Sequence, residues 1–462
     1  MRPSPRKRGE GVPVSAAPAP MPDPAPRSVL ARLVGLRPGE GPVLAWAWAY
    51  IFSLLAAYYV LRPIRDQMGV AGGIENLPWL FTATLVGMLA LNLPFAWLVK
   101  SLPRARFVPL TYRFFASHIL LFALALYGAP PDWDVWIGRV FFVWLSIFNL
   151  FVVSIFWATI VDVFSTSQGK RLFGFIAAGA TVGAIAGSSL TAGLARSVPS
   201  WGLMLGAVVL LEAAVFSMRG LARLSERLHR VPAEAEAQAG AIGGSMYAGI
   251  TRTLASPYLL NIALFLLLFS VTSTFLYFEQ AGIAKRSFPD RAAQTAFFAS
   301  VDLAVNVLTL GVQLFLTGRL TQAIGVGATL AILPAVSMLG FAALAASPTI
   351  WAIVAFQVLR RAGNFAISRP VREVLFTVVP REDRYKAKSF IDTVVYRLGD
   401  QVGAWSFAGI GALGLGSTAA ALVAVPLSAA WLVNSLWLGR AQAKRDRAAE
   451  AERAGTGYAE GI

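Results

Sequence analysis

The stretch YYVLRPIRDQMGV, residues 58–70, ends an apolar run that begins near Pro42. Arg62, Arg65 and Asp66 stand at positions i, i+3 and i+4, so a helix places the three side chains on one face. An ionisable side chain inside an apolar helix is costly unless it is paired or hydrated. We therefore expect these residues to mark a functional site within a membrane.

The rest of the chain has the composition of a membrane protein. Of its 462 residues, 56% are hydrophobic and only 14% are charged, whereas a soluble domain has about 25% charged residues. The apolar residues form runs of about 20, the length that crosses a bilayer as a helix. Twelve runs predict an all-α polytopic protein, with spans at 42–62, 78–99, 107–128, 135–163, 173–195, 201–219, 257–280, 295–317, 324–345, 349–379, 388–412 and 415–438.

Basic residues alternate between the predicted loops, which sets an orientation. The loops that carry them are 100–106, 169–171, 219–256, 318–319 and 381–388. The opposite loops 128–134, 347–349 and 413–417 have no Lys or Arg, and 284–291 is an exception with three basic residues. We expect both termini in the cytoplasm and, from the Arg- and Ala-rich composition, a bacterial inner membrane. The net charge of +16 is then a topology signal, and we expect no nucleic-acid partner.

The chain divides into two halves. The predicted units are a disordered basic tail (1–41), a six-helix bundle (42–219), a central loop (220–256), a second six-helix bundle (257–438) and a second tail (439–462). Three residues recur 216 positions later: Lys170, Gly183 and Gly187 return as Lys386, Gly399 and Gly403. Two similar six-helix bundles are the plan of the major facilitator fold, which we predict here, with a monomer as the expected state.

Several chemistries are excluded by composition. The absence of cysteine excludes disulfides, thiolate metal sites and thiol nucleophiles. His118 and His229 are too few for a histidine metal centre. We find no phosphate-binding glycine loop and no zinc spacing. The sequence predicts no enzyme, no cofactor and no metal.

The RPIRD pattern of residues 62–66 returns as RPVRE at 369–373. Arg369, Arg372 and Glu373 again share one helix face. The other candidates for binding or coupling within apolar segments are Asp162, Asp302, Asp392, Arg397 and Asp400. Six further ionisable residues lie closer to the ends of the predicted helices and are expected to be interfacial anchors: Arg113, Arg139, Glu212, Glu279, Arg360 and Arg361.

These motifs resemble the ATP:ADP antiporter family, nucleotide transporters of plastids and intracellular bacteria that have the major facilitator fold. YVLRPIRDQMGV (59–70) is similar to the family's first-helix motif, and residues 155–183 resemble its fourth-to-fifth helix region. SRPVREVLF (368–376) is similar to its Asp-Pro-x-Lys-Glu segment. KSFIDTVVYRLGDQVGA (388–404) resembles its Lys-Ala-Ala-Ile-Asp stretch and the residues that follow.

The resemblance implies roles for individual residues. Arg65 falls on a functional lysine of the family, Asp66 on its aspartate and Asp162 on a functional glutamate. The family's other charged pairs are kept by Lys170 with Arg171 and by Arg372 with Glu373. The resemblance thus implies exchange of nucleotides.

Two positions depart from the family pattern. Asp400 stands where the family has a lysine, and Tyr277 stands where it has a glutamate, with Glu279 nearby. Replacing a cation by a carboxylate changes the local charge by two units, which disfavours a triphosphate. We expect a secondary transporter of an anionic, nucleotide-like or phosphorylated solute, by exchange or proton coupling. The alternatives are a proton-coupled carrier of an organic acid, peptide or drug, in which Asp400 carries the proton, and a non-transporting membrane protein.

Overall fold

The computed structural model describes residues 36–37, 39–101, 104–228, 246–380 and 387–457. Most of the predicted N-terminal tail and of the central loop lies outside the described residues, and so does Lys386. The described chain is helical, and no strand occurs in these ranges.

The N-terminal half consists of six long helices. They are α1 (Glu40–Ala71), α2 (Leu77–Ser101), α3 (Arg104–Gly128), α4 (Asp134–Val163), α5 (Thr166–Leu194) and α6 (Ser200–Leu228). Short 3₁₀ turns at Ile74–Asn76 and Pro131–Trp133 precede α2 and α4. A capping box opens α5, because the Ser165 hydroxyl accepts from the Gln168 amide and the Gln168 side chain accepts from the Ser165 amide.

The C-terminal half repeats this arrangement after a short helix, Met246–Ala255. Its first three long helices and its last are α7 (Pro257–Ser287), α8 (Arg291–Phe315), α9 (Thr317–Ala346) and α12 (Gly416–Gly457). Helix α10, residues 350–375, consists of Ile350–Gly363, a π-helical turn Asn364–Ser368 and Arg369–Leu375. Helix α11, residues 387–412, contains a second π-helical turn, Ile391–Val395, followed by Tyr396–Ala412.

The all-α membrane fold predicted from the sequence is confirmed. Ten described helices are long and apolar enough to cross a membrane. The two other predicted spans correspond to α10 and α11, whose π-helical turns leave regular α-helical pieces of 14 and 17 residues. Local π-helical turns of this kind are often found at functional sites.

Within the N-terminal half, α1 and α5 pack backbone to backbone at two glycines. A Cβ atom at Gly183 would lie 2.3 Å from the carbonyl oxygen of Phe52, and one at Gly187 would lie 2.3 Å from that of Ala56. No side chain fits at such distances. Glycine at these positions therefore permits the close approach of the two helices.

The C-terminal half makes the equivalent contact between α7 and α11. A Cβ atom at Gly399 would lie 2.6 Å from Cβ of Ser270, and one at Gly403 would lie 2.9 Å from Cβ of Thr274. The glycines that recur in the sequence thus serve the same packing in both halves. This structural equivalence supports the predicted repeat.

The two ends of the bundle are distinguished by their contacts. We call the end at which α1 begins the tail side, and the end at which α1 finishes the far side. On the tail side, Arg171 of α5 pairs with Glu40 of α1 at 2.8 Å. On the far side, Arg291 of α8 pairs with Asp134 of α4 at 2.7 Å, which joins the two halves.

Candidate substrate site between the two halves

A cavity of about 280 Å³ lies between the two halves, walled by α1, α2 and α4 on one side and by α7, α8, α10 and α11 on the other. Charged side chains from both halves line it. They are the arginines Arg62, Arg65, Arg360, Arg361 and Arg397 and the aspartates Asp66, Asp302 and Asp400.

The α1 motif supplies the N-terminal wall. The Arg65 guanidinium pairs with Asp66 at 2.6 Å and lies over the Phe142 ring at 4.9 Å from its centroid. The Tyr277 hydroxyl of α7 donates to Asp66 at 3.1 Å. Arg62 lies farther from Asp66, at 3.9 Å. The charge of Asp66 is therefore held mainly by Arg65, and Arg62 is directed to the opposite half.

Asp302 of α8 connects the two halves within the cavity. Its carboxylate lies 3.1 Å from Arg62 of α1 and 2.7 Å from Arg361 of α10. Asp302 is only 2% exposed. Its second oxygen Oδ2 and the Nη2 atom of Arg361 are buried without a hydrogen-bond partner among the described residues. The Asp302 carboxylate thus pairs with two guanidinium groups, and the Nη2 donor of Arg361 is left without a hydrogen-bond partner among the described residues.

Arg360 is a buried cation that pairs with no acidic side chain in the part of the chain that the structure describes. It is 3% exposed, and no carboxylate lies within ion-pair distance among the described residues. It donates only to neutral oxygens, at 2.7–3.1 Å: the hydroxyls of Ser337, Ser273 and Thr272 and the carbonyl of Phe269. Its guanidinium also lies over the rings of Phe269 and Trp431, at 5.1 and 5.9 Å from their centroids. Its positive charge is solvated by dipoles and rings and is not neutralised.

Asp400, by contrast, is paired within its own half. It lies 3.1 Å from Arg397 on the same helix and accepts a hydrogen bond of 2.5 Å from the Ser270 hydroxyl of α7. The remainder of the cavity wall is largely aromatic and amide. The aromatic residues are Phe81, Phe142, Phe269, Tyr277, Phe298, Phe365 and Tyr396, and the amides are Gln280, Gln357, Asn364 and Gln401.

The second motif, RPVRE, lies elsewhere. It occupies the tail-side end of α10, where Arg372 pairs with Asp392 of α11 at 3.2 Å and Glu373 pairs with Lys388. Arg369 is exposed on the same helical turn. None of these residues lines the central cavity. They form a separate charged cluster between α10 and α11, which we call the tail-side cluster.

The remaining predicted residues also lie away from the cavity. Asp162 is exposed near the tail-side end of α4. Arg171 binds Glu40 at the start of α1, beside Gln168, whose amide donates to the same carboxylate at 3.1 Å. Lys170 lies in α5, and its side chain is outside the described part of the chain.

Arg360 and Arg361 were expected to be interfacial anchors, and this expectation is wrong. Both line the cavity. The available signal was their position 11 and 12 residues into the predicted span 349–379, far from either end. Arg113 and Glu212, from the same group, do form an exposed ion pair of 3.2 Å.

Two carrier proteins are similar to this chain in sequence, although no known family profile matches it. The chain is 25% identical over 361 residues to ADP,ATP carrier protein 1 of Chlamydia trachomatis, covering 68% of each chain. It is also 25% identical over 362 residues to ADP,ATP carrier protein 1 of Chlamydia muridarum, again covering 68% of each. The resemblance predicted from the motifs is confirmed.

Solved structures show the same fold. A POT family peptide transporter superposes with a TM-score of 0.58 at 14% identity, covering 87% of this chain and 97% of that one. A bacterial homologue of the human lysosomal transporter Spinster gives 0.53 at 14% identity, covering 89% and 97%. The nucleoside transporter NupG gives 0.51 at 12% identity, covering 86% and 98%. The chain has the predicted major facilitator fold.

Proposed function

We propose that this chain, a divergent relative of the ADP,ATP carrier proteins, is a secondary active transporter of an anionic, nucleotide-like or otherwise phosphorylated solute. One observation carries the proposal: Arg62 and Arg361, from opposite halves, meet at Asp302 in the central cavity. An anion bound there contacts both halves at once. Alternating access requires such a site, because the two bundles move against each other around it.

The cavity arginines bind the anion in this proposal. Arginine presents a planar fork of donors that fits phosphate oxygens in pairs. The substrate competes with Asp302 for Arg62 and Arg361, while Arg65 stays with Asp66. Asp302, Arg397 and Asp400 couple binding to movement, since their ion pairs must be rearranged when the solute enters.

In the same proposal, the tail-side cluster forms an entry region for the solute. Arg369, Arg372, Glu373 and Asp392 lie where a solute approaches the cavity from the tail side. Three further residues, Asp162, Lys170 and Arg171, keep the role of binding residues that the family resemblance implies, at the tail side of α4 and α5.

We propose that the tail side faces the cytoplasm, which the basic residues of the predicted loops support. We propose that the protein is a monomer in a bacterial inner membrane with both termini inside. A proton-coupled carrier with Asp400 as the proton carrier is less well supported, because the two relatives similar in sequence are named ADP,ATP carrier proteins.

A counterflow assay tests the proposal. Purified protein is reconstituted in liposomes loaded with an unlabelled solute, and accumulation of the labelled solute is measured for ATP, ADP, AMP and a sugar phosphate. We expect accumulation of at least one of them, its loss in Arg361→Gln and its retention in Arg113→Gln. Failure to accumulate any of the four by a protein that keeps its thermal unfolding transition would refute the proposal.

A further inference from the structure

We infer that the cavity selects a nucleoside monophosphate, a solute with one phosphate-monoester group on an aromatic base, over the di- and triphosphates. This inference rests on the proposed function and names the substrate class of the same site. Two features carry it: the charge of the cavity and the character of its walls.

The charge of the cavity is fixed by its ion pairs. Each lining aspartate has a guanidinium close by, at 2.6 Å for Asp66, 2.7 Å for Asp302 and 3.1 Å for Asp400. Each aspartate is thus matched by one arginine in the count of charges. Five arginines against three aspartates leave an excess of two positive charges. A ligand that neutralises this buried excess carries two negative charges.

The excess positive charge of the cavity lies largely on α10. Arg360 has only neutral acceptors, and Arg361 shares its single carboxylate with Arg62 and keeps a buried Nη2 atom without a partner among the described residues. These two arginines are adjacent in sequence and lie in the helical turn before the π-helical turn Asn364–Ser368. Such a local excess suits one compact dianionic group better than charges spread along a polyphosphate chain.

A phosphate monoester fits this charge. It carries about −1.5 to −2 charges at pH 7 and three strong acceptor oxygens. Each additional phosphoryl group adds about one more negative charge, which the cavity leaves uncompensated. An uncompensated charge that is removed from water is disfavoured. A triphosphate would therefore bind with an excess of negative charge among Asp66, Asp302 and Asp400.

The aromatic and amide side chains of the cavity walls fit the remaining part of the solute, the nucleobase. Phe81 and Tyr277 come from opposite halves, with ring centroids 5.8 Å apart, and both line the cavity. Nucleobases stack on aromatic side chains of this kind. Gln357 and Gln401 supply amide donors and acceptors for the edge of a base. The volume of about 280 Å³ lies just below the usual range for small-molecule sites, which is about 300–1,000 Å³.

Equilibrium binding to the detergent-purified full chain tests the inference without any membrane gradient. The probes are AMP, ADP, ATP, adenosine, inorganic phosphate and succinate. We expect AMP to bind at least about tenfold tighter than ADP, and ATP to bind more weakly still, since each unpaired buried charge opposes binding. Adenosine and inorganic phosphate each lack one of the two recognised parts, and succinate lacks both, so all three should bind more weakly than AMP. ADP or ATP binding as tightly as AMP overturns the inference, and so does tighter binding of succinate.

Two charge variants sharpen the test. Asp302→Asn and Asp400→Asn each raise the net charge of the cavity by one, the first at the junction of the halves and the second within one half. We expect both to shift the ratio of ADP to AMP affinity by about tenfold toward ADP. Arg113→Gln, which changes an exposed pair outside the cavity, should leave the ratio unchanged. A ratio unmoved in both aspartate variants contradicts the inference even if one of them folds poorly.

The inference and the proposed function fail separately. Preferential AMP binding by a protein that accumulates no solute in liposomes would refute transport and leave the specificity intact. Counterflow of ADP or ATP without preference for AMP would support transport and refute the specificity.

Discussion

Arg62 of α1 and Asp302 of α8 form a buried ion pair of 3.1 Å across the boundary between the two six-helix halves. Arg361 holds the other side of the same carboxylate at 2.7 Å. A solute anion that replaces Asp302 between these arginines exchanges one contact between the halves for another. Entry of the substrate can therefore free Asp302 while both arginines stay paired.

The first prediction concerns Arg62. Replacing it by Gln removes one of the two cations that receive the anion, while Asp302 keeps Arg361. We expect the rate of counterflow to fall by about tenfold or more, with little change in the thermal unfolding temperature. Arg113→Gln is the matched control, because it makes the same change in an exposed pair. Undiminished counterflow in Arg62→Gln would remove this residue from the binding site.

The second prediction separates binding from stability at Arg360. Its hydroxyl partners each donate to a carbonyl of their own helix: Ser337 to Leu333, Ser273 to Phe269 and Thr272 to Leu268. In Arg360→Met, the hydroxyl hydrogens of all three partners therefore keep their carbonyl acceptors. The substitution also removes a buried charge that has no carboxylate at ion-pair distance among the described residues.

We expect the ligand-free variant to be more stable by about 1 kcal/mol and to bind AMP at least about tenfold more weakly. Thermal unfolding and equilibrium binding measure the two effects. A marked loss of stability in the absence of ligand would instead assign Arg360 a structural role.

The third prediction compares two arginines that occupy the same place in the repeated motif. Arg65 lines the cavity, whereas Arg372 lies in the tail-side cluster with Asp392. Arg65→Gln should weaken both AMP binding and counterflow. Arg372→Gln should slow counterflow and leave equilibrium binding within about twofold of the wild type, because no cavity contact is lost. Equal effects of both variants on binding would contradict the separation of the two clusters.

The two motifs also show what the sequence can predict. Spacing at i, i+3 and i+4 identifies the helix face that Arg62, Arg65 and Asp66 share, because helix geometry alone fixes it. The same spacing in RPVRE gives no information about depth or about the facing helix. Arg360 and Arg361 were assigned to an interface although they lie far from either end of the predicted span 349–379, and their partners follow from tertiary packing around α10. The repeated glycines were easier to interpret, because only a close backbone approach explains them.

The fourth prediction tests the close approach of α1 and α5. Gly187→Ala places a Cβ atom 2.3 Å from the carbonyl oxygen of Ala56, a backbone atom that cannot turn away. We expect a loss of stability of about 1–3 kcal/mol, measured by thermal unfolding in detergent. Gly206→Ala in α6 is the control, since nothing lies within 4 Å of its added Cβ. That variant should be unchanged or slightly more stable, because alanine favours the helix over glycine.

The fifth prediction concerns the far side, where Arg291 of α8 and Asp134 of α4 join the halves at 2.7 Å. Trp79 and Trp405 meet at 4.8 Å between α2 and α11, and the Thr82 hydroxyl donates to Gln401 at 2.9 Å. In alternating access these contacts must separate during each cycle, because the cavity opens to one side at a time.

The chain contains no cysteine, so a cysteine pair can be introduced at positions 134 and 291 without background reaction. Cross-linking Asp134→Cys to Arg291→Cys with a short thiol reagent should abolish counterflow, while cleavage of a reducible linker should restore it. AMP binding should survive in the cross-linked protein, since the cavity stays accessible from the tail side. Each single-cysteine variant treated with the same reagent is the control for modification alone. Full counterflow in the cross-linked protein would show that the far side need not open, and the two halves would then not work by alternating access.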